Sequence, residues 1–128
     1  MTRLPVLLVA GLLAAASPAA AQFTMAEPTQ ASNQNCDNGP LNKEYGAQYW
    51  RVFGCEDDKT LIFVAGQGNR ATPYVFSYAP DAAGAYVLTG KGAGDPTYVG
   101  RARLALEALR PRDIAALLAA AKAKGDGG

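Results

Sequence analysis

The side chains that could carry out chemistry are limited in kind, because the sequence contains no histidine. A histidine general base, a histidine-ligated zinc and an attached c-type haem are therefore excluded. Three carboxylates stand together at residues 56–58, a combination that suits a hard cation or acid–base chemistry. The cluster lacks the alternating spacing around a glycine that a calcium loop requires, and Lys59 adjoins it. We interpret it as a solvated hairpin turn and predict no catalytic residue, no metal and no cofactor.

A glycine-rich segment at residues 90–95 lies between a predicted strand and a predicted helix, where backbone N–H groups can bind an anion. It matches neither a dinucleotide fingerprint, which needs glycine where Thr97 stands, nor a P-loop, which needs Gly-Lys-Ser/Thr. A flexible connection is the simpler interpretation. The alternative is an anion site whose candidate residues are Lys91, Gly92, Gly94 and, from the following helix, Arg101.

Aromatic residues are concentrated in one window, since all of them except Phe23 lie between Tyr45 and Tyr98. Strands favour aromatic side chains, so most of them are predicted to pack in the core. Exposed aromatic side chains contribute much of the contact energy at interfaces, so those left outside the core mark a recognition surface. The candidate partner-binding residues are Tyr49, Tyr74 and Tyr78.

The N-terminus has the pattern of a secretory signal peptide at residues 1–21, with Arg3, an apolar run at 4–16 and a small-residue end. The run is shorter than the ~20 residues that a membrane span needs, and no later stretch is longer. We therefore predict cleavage after Ala21 and a periplasmic or secreted protein without a membrane span. Cys36 and Cys55 are the only cysteines, and an even count in an exported chain predicts a disulfide between them.

The mature chain has room for one small domain. We expect a flexible N-terminal segment at 22–35, a single domain at 36–125 and a flexible tail at 126–128. Loss of the leader removes Arg3 and leaves equal numbers of basic and acidic residues. This balance argues against a general affinity for nucleic acid or anionic membranes.

Hydrophobic periodicity predicts an α+β fold, in which a four-stranded antiparallel meander precedes two C-terminal helices packed on the sheet. The predicted strands are 48–55, 60–65, 74–79 and 85–89, and short connections favour antiparallel neighbours. Asp95 is the expected cap of a helix over 96–109, with Pro96 at its first position. A second helix is expected to begin at Pro111 and to end before Gly125.

Each predicted helix carries an apolar stripe that would cover the sheet. The first stripe consists of Tyr98, Ala102, Ala105, Leu106 and Leu109, and the second of Ile114, Leu117, Leu118 and Ala121. Arg103, Glu107 and Arg110 share the opposite face of the first helix, which we predict to face solvent.

The run Cys-Glu-Asp-Asp-Lys-Thr-Leu at 55–61, followed by Gly-Ala-Tyr at 84–86, resembles periplasmic inhibitors of C-type lysozyme. These are small exported β-barrel proteins with disulfides, and the resemblance implies an inhibitor of a periplasmic enzyme. It covers about a third of the chain. Because the two predicted helices depart from that all-β pattern, no inhibitory residue is carried over.

The favoured function is a small exported binding or protein-interaction module, whose partner is an envelope protein or a small ligand. The alternatives are the periplasmic enzyme inhibitor and a small enzyme that works without histidine. A deep pocket with two converging carboxylates would favour the enzyme. A shallow apolar or aromatic patch would favour the module.

Overall fold

The computed structural model describes residues 34–127. The predicted signal peptide at 1–21 and residues 22–33 of the predicted N-terminal segment lie outside the described residues, as does Gly128. Five strands and two helices follow one another along the chain. They are β1 (Asn38–Tyr45), β2 (Gln48–Gly54), β3 (Leu61–Ala65), β4 (Tyr74–Pro80), β5 (Tyr86–Gly92), α1 (Pro96–Glu107) and α2 (Pro111–Gly127).

The strands form one open antiparallel sheet in the order β1-β2-β3-β4-β5. The predicted α+β class, with an antiparallel meander followed by two C-terminal helices, is confirmed. The strand count is five instead of four, because β1 precedes the strands that the pattern predicted. Its start contains Gly39 and Pro40, which favour a turn. An edge strand tolerates proline, and the pairing with β2 shifts between Asn38 and Leu41 to accommodate it.

The fifth strand is longer than the sequence predicts, since it continues through Gly92 instead of ending at Thr89. Residues 90–92 are paired with β4, where Gly92 lies opposite Tyr74. The Tyr74 side chain also covers Gly90, because a Cβ on that glycine would lie 2.6 Å from the Tyr74 Oη. Pairing and this cover outweigh the low strand propensity of glycine.

The core lies between the helices and one face of the sheet, which we call the inner face. Trp50 and Val52 of β2 point inward, whereas their neighbours Tyr49 and Arg51 point to the outer face. Trp50 and Phe76 are fully buried, and their ring centroids are 5.4 Å apart. The helices cover this face with buried side chains of Val99, Ala102, Leu106, Ile114, Leu117 and Ala121.

The first helix begins as the sequence predicts, and its buried face overlaps the predicted stripe, since Ala102 and Leu106 are buried. Asp95 caps it by accepting a hydrogen bond from the Thr97 N–H at 2.8 Å. Val99 is buried, although it lies outside the predicted stripe. Arg103, predicted to face solvent, lies against the sheet, and its Cζ is 5.2 Å from the Phe76 ring centroid. The prediction for Arg103 is wrong because a long arginine side chain can pack along apolar surface.

The second helix lies along β1 and β2, where a Cβ on Gly54 would meet the side chains of Ala121 and Leu118. It extends through residues 126 and 127, which the sequence assigned to a C-terminal tail. The predicted disulfide is confirmed, since Cys36 and Cys55 are bonded. No helix within residues 34–127 has the length and apolar character needed to cross a membrane.

Candidate functional site

One end of the sheet gathers the turn 46–47, the loop 66–73 and the connection 93–95. Consecutive antiparallel strands place alternate connections at the same end, so the topology brings these three segments together. We call this region the Tyr49 end. The turn 55–60 and the turn 81–85 lie at the opposite end of the sheet.

Tyr49 is the most exposed of the candidate tyrosines, with 63% of the residue open to solvent. It belongs to a strand whose next residue, Trp50, is fully buried, so alternation places the Tyr49 side chain on the outer face. It lines a cavity of about 200 Å³ together with Ala47, Gln48, Gln67, Gly68 and Asn69. An exposed aromatic side chain thus stands at the rim of a concave surface.

Two side chains hold the loop of the cavity in place. Asn69 donates from Nδ2 to the Tyr49 carbonyl and accepts at Oδ1 from the Ala71 N–H, both at 2.7 Å. Asn69 is only 6% exposed, and buried hydrogen bonds of this kind are costly to break. Gln48 Oε1 accepts from the Arg70 N–H, also at 2.7 Å. The loop 66–73 is therefore fixed to β2 at Gln48 and at Tyr49.

The structure separates the three candidate tyrosines. Tyr74 and Tyr78 lie on the inner face, because they alternate with the same parity as the buried Phe76. Tyr78 is 6% exposed and its ring centroid is 5.8 Å from that of Tyr86, so the expectation that it is exposed is wrong. Burial, followed by the charge of Glu107, raises the pKa of Tyr78.

Tyr74 is half-buried, and its ring centroid lies 4.9 Å from that of Phe76. Its hydroxyl accepts a 3.4 Å hydrogen bond from Arg103 Nη2. Parity with Phe76 is a signal in the sequence that could have assigned Tyr74 and Tyr78 to the inner face. Tyr49 is thus the candidate tyrosine that remains available to a partner on the outer face.

The candidate anion site is also divided. A Cβ on Gly92 or Gly94 would clash with the backbone of Pro73 or Ala71, so these glycines permit two chain segments to approach closely. The N–H of Ala93 donates to the Pro73 carbonyl at 2.9 Å. Gly92, Gly94 and the Ala93 N–H therefore allow the chain at 92–95 to pack against the loop 66–73.

The two basic members of that set lie apart. Lys91 is paired with Val75, which places its side chain on the outer face of the edge strand β5. Arg101 lies on α1 beside the β1–β2 turn, since a Cβ on Gly46 would be 2.8 Å from the Arg101 Cβ. The structure does not bring Lys91 and Arg101 together.

Instead, Arg101 shares an aromatic ring with a residue that the sequence analysis did not single out. The Cζ atoms of Arg101 and Arg70 lie 5.3 and 5.6 Å from the centroid of the Tyr98 ring. The i, i+3 spacing of Tyr98 and Arg101 on a helix is visible in the sequence. Nothing in the sequence connects Arg70 to that ring, because the contact depends on how α1 packs on the sheet.

The acidic residues 56–58 form an exposed turn at the opposite end of the sheet, as the sequence predicts. Asp57 organises this turn by accepting hydrogen bonds from the N–H groups of Lys59 and Thr60, both at 2.9 Å. It also accepts from Thr60 Oγ1 at 2.7 Å and from Gln34 Nε2 at 3.0 Å. Within the described part of the chain, no group of three or more acidic or cysteine side chains is arranged to hold a metal ion.

These hydrogen bonds make the stability of the protein depend on the ionisation of Asp57. Partial burial disfavours the carboxylate, but the bonds from Gln34, Lys59 and Thr60 outweigh it and lower the pKa from 3.8 to about 2. A group with a lowered pKa in the folded state stabilises the fold above its unfolded-state pKa. That contribution is lost as the pH falls from about 4 towards 2.

We expect Asp57→Asn to lower the free energy of unfolding by about 1 kcal/mol at pH 7, a value reduced for the exposure of the side chain. The gap between wild type and variant should narrow as the pH falls from about 4 to 2, as measured by urea unfolding at each pH. Glu56→Gln is the control, because Glu56 is exposed in the same turn, and it should change little. A gap that stays constant down to pH 2 would contradict this role of Asp57.

A second concave surface lies between β1 and α2. It is a groove of about 370 Å³, lined by Lys43, Tyr45, Leu109, Asp113, Ala116, Leu117 and Ala120. Burial, with a further contribution from the Asp113 charge, raises the pKa of Tyr45 to about 12, so its hydroxyl stays protonated at neutral pH.

A third hollow, smaller than this groove, lies beside α2 and contains the Asp58–Lys122 ion pair at 3.3 Å. Each of these two surfaces has a single carboxylate in its lining, and the cavity at Tyr49 has none.

Comparison of the chain with protein-family models, curated proteins and solved structures found no match. The open sheet with two helices also differs from the β-barrel of the lysozyme inhibitors. The resemblance at 55–61 and 84–86 therefore supports no assignment of a site.

Proposed function

We propose that this protein is a small exported binding or protein-interaction module, and that Tyr49 anchors its partner. One observation supports the proposal above the others. Tyr49 exposes most of its side chain at the rim of a cavity whose loop is fixed by the buried Asn69.

This arrangement suits binding for two physical reasons. A tyrosine offers a large apolar contact area and a polar hydroxyl, and such residues are enriched where truncation weakens an interface most. A surface that is already ordered loses less conformational entropy when a partner binds. The rim of the cavity offers the exposed Tyr49 side chain, and it is ordered because Asn69 Nδ2 donates to the Tyr49 carbonyl.

The proposed location is the periplasm or the exterior of the cell. It is supported by the signal-peptide pattern at residues 1–21, which predicts export. It is also supported by the Cys36–Cys55 disulfide, because such bonds persist in oxidising compartments.

The proposal predicts that Tyr49→Ala weakens partner binding by at least about tenfold, equivalent to ~1–2 kcal/mol or more. The wild-type chain would be immobilised and exposed to envelope extract, and the affinity of each captured protein would be measured by titration. Val87→Ala is the matched control, because Val87 is also an exposed apolar residue on the outer face, at 44% exposure. It lies on the edge strand β5, away from the cavity at Tyr49, and should change the affinity less than about twofold.

A second control addresses the acidic turn. Asp58→Asn removes an exposed charge at the opposite end of the sheet. We expect it to change the free energy of partner binding by less than ~1 kcal/mol. If Tyr49→Ala leaves the affinity unchanged while Asp58→Asn abolishes it, the surface that we propose is wrong. The acidic turn would then be the binding region.

A further inference from the structure

Arg70 and Arg101 place two positive charges beside one aromatic ring. Both Cζ atoms lie within 5.6 Å of the centroid of Tyr98, which is half-buried. A cation near an aromatic ring is stabilised by the ring quadrupole, which explains how each guanidinium is held. The ring does not neutralise charge, so each guanidinium keeps its positive charge.

The backbones of both arginines are fixed. The Arg70 N–H donates to Gln48 Oε1 at 2.7 Å, and its carbonyl accepts from the Asp95 N–H at 3.4 Å. Arg101 packs against the β1–β2 turn, where Gly46 allows close contact with a φ of 63°. The convergence of the two arginines is therefore set by the packing of three segments and not by the side chains alone.

Neither guanidinium has an anionic partner within residues 34–125. The ion pairs in that part of the chain are Arg110–Asp113 and Lys122–Asp58. The Asp95 N–H is bonded to the Arg70 carbonyl, but the Asp95 carboxylate caps α1 and forms an ion pair with neither arginine. No side chain in this range accepts a hydrogen bond from the Arg70 or Arg101 guanidinium, in contrast to that of Arg103, which donates to Tyr74. Each guanidinium carries five N–H groups, and both arginines are exposed, so both have donors for a ligand.

We infer that Arg70, Tyr98 and Arg101 bind carboxylate side chains of an acidic polypeptide segment, as the charged part of the surface anchored by Tyr49. This inference rests on the proposed function and specifies the chemistry of the partner. A carboxylate matches the fork of a guanidinium with two parallel hydrogen bonds, and two such groups would neutralise the pair.

The position of the pair favours a polypeptide over a free oxyanion. Gln48 and Tyr49 are adjacent in β2, and they are bonded to Arg70 and Asn69, which are adjacent in the loop. Arg70 follows Asn69, and Arg101 packs beside Gly46, which precedes Ala47, so both arginines are next to residues that line the Tyr49 cavity. A segment with acidic and apolar side chains contacts both parts, whereas free phosphate would use the arginines alone.

The test uses a fluorescent peptide of alternating glutamate and tyrosine, with binding followed by anisotropy at about 50 mM NaCl to limit screening. We expect Arg70→Gln/Arg101→Gln to weaken binding at least about tenfold. Arg70→Lys/Arg101→Lys keeps the charge but loses the fork and should give an intermediate loss. Lys91→Gln/Lys124→Gln removes the same net charge from exposed lysines elsewhere and should change binding less than about twofold. Thermal unfolding followed by circular dichroism checks that each variant is folded.

Four results would overturn the inference. They are failure of the wild-type chain to bind the peptide, equal binding of a peptide with glutamine in place of glutamate, equal losses in the arginine and lysine variants, and complete displacement by inorganic phosphate at constant ionic strength. The proposed function is tested separately with the captured partner. If Tyr49→Ala weakens that complex and Arg70→Gln/Arg101→Gln does not, the proposed binding function is supported and the inference of an acidic segment is wrong.

Discussion

Replacing Trp50 by alanine is expected to lower the free energy of unfolding by about 3–5 kcal/mol. The side chain is fully buried, and its ring packs against Phe76 with the centroids 5.4 Å apart. Its Nε1 also donates to the Tyr45 carbonyl at 3.2 Å, so truncation removes a hydrogen bond as well as a large apolar volume. A domain of this size is stabilised by only about 5–15 kcal/mol in total, so the loss is a large fraction.

Tyr49→Ala is the matched control for that experiment. Tyr49 is the preceding residue of the same strand but points to the outer face, so its truncation should cost less than about 1 kcal/mol. Urea unfolding would be followed by far-ultraviolet circular dichroism, because Trp50 is the only tryptophan and its variant loses that fluorescence. Trp50→Phe serves as a milder variant if the alanine form does not fold. Equal losses at Tyr49 and Trp50 would contradict the assignment of the two faces.

Loss of the disulfide is the second large effect that we expect. Cys36 and Cys55 are 19 positions apart, and a bond that closes a loop of this length restricts the unfolded chain. Replacing both by serine should therefore lower the free energy of unfolding by about 3 kcal/mol in the chain-entropy model. The Gln34 and Asn35 contacts with Asp57 and Glu56 should also loosen, because the bond holds that segment beside the turn.

The measurement is urea unfolding of the double variant and of the wild-type chain, the latter with and without a reductant. Reduced wild type should match Cys36→Ser/Cys55→Ser, since both lack the same cross-link. The double variant should be insensitive to the reductant, which makes it the internal control. If oxidised and reduced wild type unfold at the same urea concentration, the disulfide does not stabilise the domain.

Strands β2, β3 and β4 could be predicted from the sequence within one residue at each end. Their residues alternate between two faces or form a continuous apolar run, and both patterns have a direct physical cause in strand geometry. The start of α1 was equally accessible, because Asp95 and Pro96 are a local capping signal.

The two edge strands show where local signals fail. Gly39 and Pro40 favour a turn, and Gly90 and Gly92 favour a loop, yet all four lie in strands. Their conformation follows from a paired neighbour and, at Gly90, from the Tyr74 ring that covers it. Hydrogen bonding to a neighbouring strand is a tertiary contribution that a window of sequence does not contain.

The sequence by itself determined the α+β class, the order of the central strands and the helices, and the pairing of Cys36 with Cys55. Each of these depends on periodicity, capping or count, which are properties of nearby residues or of the whole composition. The tertiary structure alone decided that Arg70 and Arg101 meet at Tyr98. That meeting requires α1 to cross the sheet beside Gly46, and the side chains buried between helix and sheet set the position of the helix.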